Sequence, residues 1–133
     1  MILIDSSILL DIASKDPVWS EWSLLSIADL ANNFALCINP IIYAESSVKF
    51  NTPEEFDKAF PAEDFVRENL PYSAAFLAAK AQIAYRRRGG SRTATLPDFF
   101  IGAHAAVSGY RILTRDPRRF RRYFPSVELI APK

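Results

Sequence analysis

The chain is poor in the residues that soft metals and disulfides require, with one cysteine, Cys37, and one histidine, His104, among 133 residues. A lone cysteine forms no internal disulfide, and Cys37, lying between Leu36 and Ile38, reads as a small buried hydrophobe. A zinc centre wants several His or Cys ligands and is excluded on the same ground. Glycine is scarce as well, four residues in all. None follows the first apolar run, so the Gly-rich turn of a dinucleotide-binding fold is missing. No stretch approaches the roughly 20 apolar residues of a membrane span, and the opening Met1-Ile2-Leu3-Ile4-Asp5 meets a carboxylate too early for a secretory signal. These absences predict one globular domain over residues 1–133, with no membrane partner and a cytoplasmic setting.

Half of the residues are hydrophobic, and the formal net charge is only +1. That near-neutrality conceals an asymmetry. Up to Leu70 there are 12 Asp and Glu against 4 Lys and Arg; from Pro71 onward there are 3 against 12. A basic second half suggests a surface facing a polyanion. Its only acids are Asp98, Asp116 and Glu128.

Short apolar runs mark strands at Ile2-Leu3-Ile4, Ala35 to Ile38, Phe65-Val66, Arg111 to Thr114 and Val127 to Ile130. Between them lie helical stretches with start signals: Asp5-Ser6-Ser7, Asp16-Pro17, Asn39-Pro40, the capping-box spacing Thr52-Pro53-Glu54-Glu55, Pro97 and Asp116-Pro117. A long helix from about Ser73 to Arg88 should stop at Gly89-Gly90. Strands alternating with helices predict an α/β fold, a three-layer α/β/α sandwich around a short, mostly parallel sheet.

In such sheets ligands bind beyond the carboxyl ends of the strands. Asp5 follows the first strand and Asp116 the fourth, while Asp98 opens a helix. Each has a bland reading as a helix cap or macrodipole partner. Glu45 is harder to dismiss. On a helix starting at Pro40 it shares a stripe with Ile41, Ala44 and Val48, which predicts an inward-facing carboxylate. Asp98 likewise shares its stripe with Ile101, Gly102 and Ala105. Unpaired buried carboxylates are costly, so converging acids want a cation. Oxygen-only ligands select a hard ion, Mg²⁺ or Mn²⁺. His104 sits about 240° around the helix from Asp98 and reads as structural.

Four segments carry a resemblance: Leu3-Ile4-Asp5-Ser6-Ser7-Ile8-Leu9-Leu10, Asn39-Pro40-Ile41-Ile42-Tyr43-Ala44-Glu45, Leu96-Pro97-Asp98-Phe99-Phe100-Ile101-Gly102-Ala103-His104-Ala105, and Ile112-Leu113-Thr114-Arg115-Asp116-Pro117. Together they resemble the PIN-domain nucleases, and within them the VapC-type toxins of toxin–antitoxin pairs. The resemblance implies an acidic quartet at Asp5, Glu45, Asp98 and Asp116, supporting hydroxyls at Ser6 and Thr114, and RNA hydrolysis leaving 5′-phosphate and 3′-hydroxyl ends. One or two Mg²⁺ or Mn²⁺ ions would serve the quartet. It also implies two partners: a small antitoxin and a second copy of the chain, a homodimer. The Ala- and Phe-rich run Ala74-Ala75-Phe76-Leu77-Ala78 would either bury core or pack across that dimer.

Candidate RNA contacts are Arg86, Arg87, Arg88 and Arg92 around Gly89-Gly90, and Arg115, Arg118 and Arg119 beside Asp116. Phe120, Tyr123 and Phe124 either stack on bases or anchor the last helix to the core. Two rival functions are a non-catalytic RNA- or partner-binding module, and a haloacid-dehalogenase-like phosphatase. The latter places a second Asp two residues after the first, where Ser7 stands here.

Overall fold

A computed structural model describes residues 1–89 and 95–133. Its sheet is built from very short strands: β1 (Ile2–Ile4), β2 (Leu36–Ile38), β3 (Phe65–Arg67), β4 (Arg111–Leu113) and β5 (Leu129–Ile130). Successive side chains of a strand point to opposite faces. Every residue of β1 and β2 is nonetheless buried, so both faces of the central sheet are covered, as a parallel sheet requires. The strand order is β3-β2-β1-β4-β5, and all four neighbouring pairs are parallel. The expected mostly parallel sheet is thus wholly parallel.

The connections are helices, because parallel neighbours need long crossovers. α1 (Ser6–Ala13) and α2 (Ser20–Ala31) join β1 to β2. α3 (Pro40–Ser46), a 3₁₀ turn and α4 (Pro53–Ala59) lead to β3. α5 (Tyr72–Arg87) and α6 (Leu96–Ser108) cross back to β4, and α7 (Arg118–Arg121) precedes β5. From β1 the chain first builds outward to β3, then returns to lay β4 on the other side. The reversal falls between β1 and β4, the crevice where such sheets bind ligands.

Local signals explain several helix ends. The Asn39 side chain accepts from Ile42 N at 2.9 Å and Thr52 from Glu55 N at 3.2 Å. Gly109 closes α6 in the left-handed region at φ 70°, where a side chain would be strained. α2 differs from expectation. Asp16 accepts from Val18 N and Trp19 N, both at 2.8 Å, making a local turn, and the helix begins only at Ser20. On α5, Ala74, Ala78 and Ala81 are buried while Tyr72 and Phe76 face out, so the Ala/Phe-rich run divides between core and surface.

One correction and one settled alternative bear on function. The stripe Ile41, Ala44, Glu45 and Val48 does not face inward as a unit: Ala44 and Val48 are exposed, and the buried residues of α3 are Ile42 and Ser46. Asn39, pinned as N-cap, sets the helix phase, and seven residues are too few for a wide apolar stripe. The aromatics beside the arginines are core. Phe120 and Phe124 are buried, and Phe99 packs against Tyr85, Tyr123 and Phe124. Gly102 makes that packing possible, because a Cβ there would overlap the Phe124 ring.

A candidate acidic active site at the β1–β4 crevice

Asp5 occupies the N-cap position of α1 but its side chain makes no cap hydrogen bond. Its carboxylate is fully buried and turned into the crevice. Oδ2 accepts from Ser7 Oγ at 2.7 Å, from Thr114 Oγ1 at 2.8 Å, and from Arg119 Nη2. Oδ1 has no partner among the described residues. A buried carboxylate oxygen left without a donor is costly.

Asp98 divides its oxygens between structure and site. Oδ2 accepts from Thr95 N at 2.9 Å and Thr95 Oγ1 at 3.1 Å, closing the start of α6. Oδ1 accepts from Arg119 Nη1 at 2.5 Å. Burial pushes this carboxyl up to about 6; the hydrogen bonds to Thr95 oppose the rise, and the nearby charges of Glu45 and Asp116 add to it. The Arg119 guanidinium, 2.5 Å from Oδ1, favours the charged form and works against that rise.

Glu45 reaches the crevice from α3 and accepts from Ser6 Oγ at 2.8 Å. Thr114, fully buried at the end of β4, accepts from Asp116 N at 3.1 Å while donating to Asp5. The Asp116 carboxylate turns to Arg118, with Oδ1 at 2.9 Å from Nε and Oδ2 at 3.2 Å from Nη2. That contact holds it below the usual carboxylate range. The structure therefore draws Asp5 and Asp98 around one guanidinium, with Glu45 and Asp116 beside them. Among the described residues no three His, Cys, Asp or Glu side chains form a ready metal cage.

The basic residues sort differently from the sequence reading. Arg86, Arg87 and Arg88 are exposed. Arg115 pairs with buried Asp11 at 2.9 Å, and Arg118 with Asp116. Arg119 is not a surface residue at all; its side chain is 15% exposed and faces the acids. Arg92 lies outside the described residues, as does Gly90. His104 is buried and bonded to Asn39, Nδ1 to Nδ2 at 3.0 Å, away from the acids.

Ser7 and Asp11 were missed in the sequence. Ser7 Oγ also accepts from Arg115 N at 3.3 Å, tying β4's exit loop to Asp5. Asp11 shares a helical stripe with Ile8 and Ile12, the same pattern that drew attention to Glu45. It accepts from Ser23 Oγ at 3.2 Å besides holding Arg115.

The wholly parallel five-stranded sheet brings Asp5 and Asp98 together at its switch point, with Glu45 and Asp116 beside them. The family model for the PIN domain matches residues 2–124, and the chain belongs to that family. Similar solved structures include VapBC2 from Rickettsia felis bound to a DNA fragment from their promoter, at 18% identity and TM-score 0.76, covering 100% of both chains. VapBC-1 from nontypeable Haemophilus influenzae matches at 16% identity and TM-score 0.74, covering 98% of each chain. FitAcB from Neisseria gonorrhoeae matches at 16% and 0.70, covering 98% of this chain and 96% of that one. No curated protein matches by sequence.

Proposed function

We propose that this PIN-domain chain is a metal-dependent endoribonuclease and the toxin of a toxin–antitoxin pair. The observation that carries the reading is the buried Asp5–Asp98 pair at the switch point, with Asp5 Oδ1 unpartnered. The donor set is all oxygen and suits Mg²⁺ or Mn²⁺. The side chain that bridges the two acids is itself a cation, in keeping with a pocket for positive charge.

Asp5 and Asp98 would hold the ion, with Asp116 and Glu45 completing its surroundings. When bound, such an ion supplies Lewis-acid activation of water and neutralises charge on the phosphate. The chain's own residues supply orientation. Ser7 and Thr114 fix the Asp5 carboxylate, Thr95 fixes Asp98, and Ser6 fixes Glu45. The exposed Arg86, Arg87 and Arg88 supply phosphate contacts along the RNA backbone.

An antitoxin partner is proposed because the similar structures above are VapBC and FitAB complexes. A homodimer and a cytoplasmic setting belong to the same proposal. No helix among the described residues is long and apolar enough to cross a membrane.

A non-catalytic RNA- or partner-binding module is the second reading, favoured by the arginines that already pair Asp5, Asp98 and Asp116. One experiment separates the two. Purified chain should cleave structured RNA with Mg²⁺, leaving 5′-phosphate ends, and should stop in EDTA or as a folded Asp5→Asn variant. Cleavage that survives both treatments refutes the metal role; no cleavage under any divalent ion, with RNA still bound, supports the module.

A further inference from the structure

We propose that Arg119 is a resident counter-cation of the Asp5–Asp98 pair, and that a divalent ion enters only by displacing it. The inference rests on the metal reading above and adds a competitor from within the chain. Asp5 and Asp98 stand on different elements, at the end of β1 and the start of α6. One guanidinium bridges them, Nη2 to Asp5 and Nη1 to Asp98. Both acids are essentially buried and Arg119 nearly so, so the contacts among the three side chains are largely shielded from water.

An arginine fork set on one carboxylate makes two parallel bonds and satisfies both of its oxygens. Here the fork is split between two acids, and Asp5 Oδ1 stays unpartnered. The bridge keeps the two carboxylates close in the absence of a divalent ion, when they would otherwise repel.

The movement needed is small. Phe120, the next residue, is fully buried, and Phe124 is seated over Gly102. The backbone of α7 is therefore fixed, and only the Arg119 side chain has to swing. Its 15% exposure opens that path toward solvent, where a substrate phosphate can take over the guanidinium.

A guanidinium that holds the pair about 90–99% of the time lowers divalent affinity by the fraction of time the pair is free, roughly 10- to 100-fold. Calorimetric titration of EDTA-stripped chain with Mn²⁺ tests this. Arg119→Gln should bind Mn²⁺ tighter than the parent by roughly that factor, and Asp5→Asn should abolish binding in either background. If the parent binds in an Asp5-dependent way and Arg119→Gln binds equally or more weakly, the displacement is refuted and the metal site stands. If no form binds Mn²⁺ through Asp5, the metal reading itself falls, and the displacement with it.

A second measurement needs no variant. In the parent chain the Arg119 Nη resonances should show slow guanidinium rotation without metal and averaged rotation at saturating Mg²⁺. Resonances that stay slow at saturation overturn the proposal.

Discussion

Replacing Thr114 with valine removes one hydroxyl and changes almost nothing in shape. That hydroxyl lies in the middle of the site: it donates to Asp5 Oδ2 at 2.8 Å and accepts from Asp116 N at 3.1 Å and Arg119 Nη2 at 3.3 Å. A hydrogen bond to a charged group contributes about 1.5–3 kcal/mol, and a stranded buried donor costs about 1–3 kcal/mol. These terms overlap, so the expected loss for Thr114→Val is about 3 kcal/mol. For a domain of this size the unfolding entropy turns that into a fall in Tm of roughly 10 °C. Thr114→Ser keeps the hydroxyl and loses one buried methyl, about 1 kcal/mol. Cleavage by the valine variant should drop roughly 10- to 100-fold, as for other side chains that orient a metal ligand. Paired thermal melts and RNA cleavage of the two variants make the assay. A valine variant that melts and cuts like the serine one refutes the assigned role of this hydroxyl.

Gly102→Ala should cost about 1–3 kcal/mol by overpacking against Phe124, and shrinking that ring in a Phe124→Leu background should recover part of the loss; strictly additive melts would show the two do not meet. Divalent affinity should fall about tenfold per pH unit below about 6, as the Asp98 carboxyl takes up a proton; calorimetry at pH 5 and 7 reads it, and equal affinities contradict it. Asp98 binds its proton more tightly folded than unfolded, so its ionisation subtracts stability as pH rises from about 4 to about 6. Asp98→Asn should accordingly gain on the parent chain over that interval, by up to about 3 kcal/mol less whatever Arg119 offsets; denaturant melts at pH 4 and pH 7 measure the gain, and a loss would reverse the sign of the argument. Changing Arg86, Arg87 and Arg88 to Gln should flatten the salt dependence of RNA binding by about 0.7 in slope per lost contact; an unchanged slope removes these three residues from the interface.

The central strands β1 and β2 were legible because they are unbroken apolar runs, and the helix starts because Asn39-Pro40, Thr52-Pro53 and Pro97 are strong local signals. Local signals failed where tertiary contacts set the geometry. Asp5 sits at an N-cap position, yet Thr114, 109 residues away, and Arg119 hold its carboxylate inward. Neighbouring arginines on a four-residue helix look alike in sequence, but buried Phe120 fixes α7 so that Arg119 points in and Arg118 points out. The two serines after Asp5 were equally ambiguous. Ser6 serves Glu45 and Ser7 serves Asp5, a division set by where α3 crosses α1. The α3 stripe misled for a related reason: Glu45 reaches the crevice although Ala44 and Val48 beside it are exposed.

The uneven charge along the sequence now has a second meaning. The basic second half faces not only solvent but also the acids: Arg115 meets Asp11, Arg118 meets Asp116, and Arg119 meets Asp5 and Asp98. An uncompensated buried charge costs several kcal/mol, so an acidic site this deep folds only if its charge is balanced beforehand. The arginines supply part of that balance, one guanidinium serving both Asp5 and Asp98, and Arg86, Arg87, Arg88, Arg121 and Arg122 stay exposed. Such a site begins with one cation already in it. Whatever enters it, a divalent ion or a phosphate, exchanges with a partner already bound, so a change at the arginines should alter metal affinity as directly as a change at the acids.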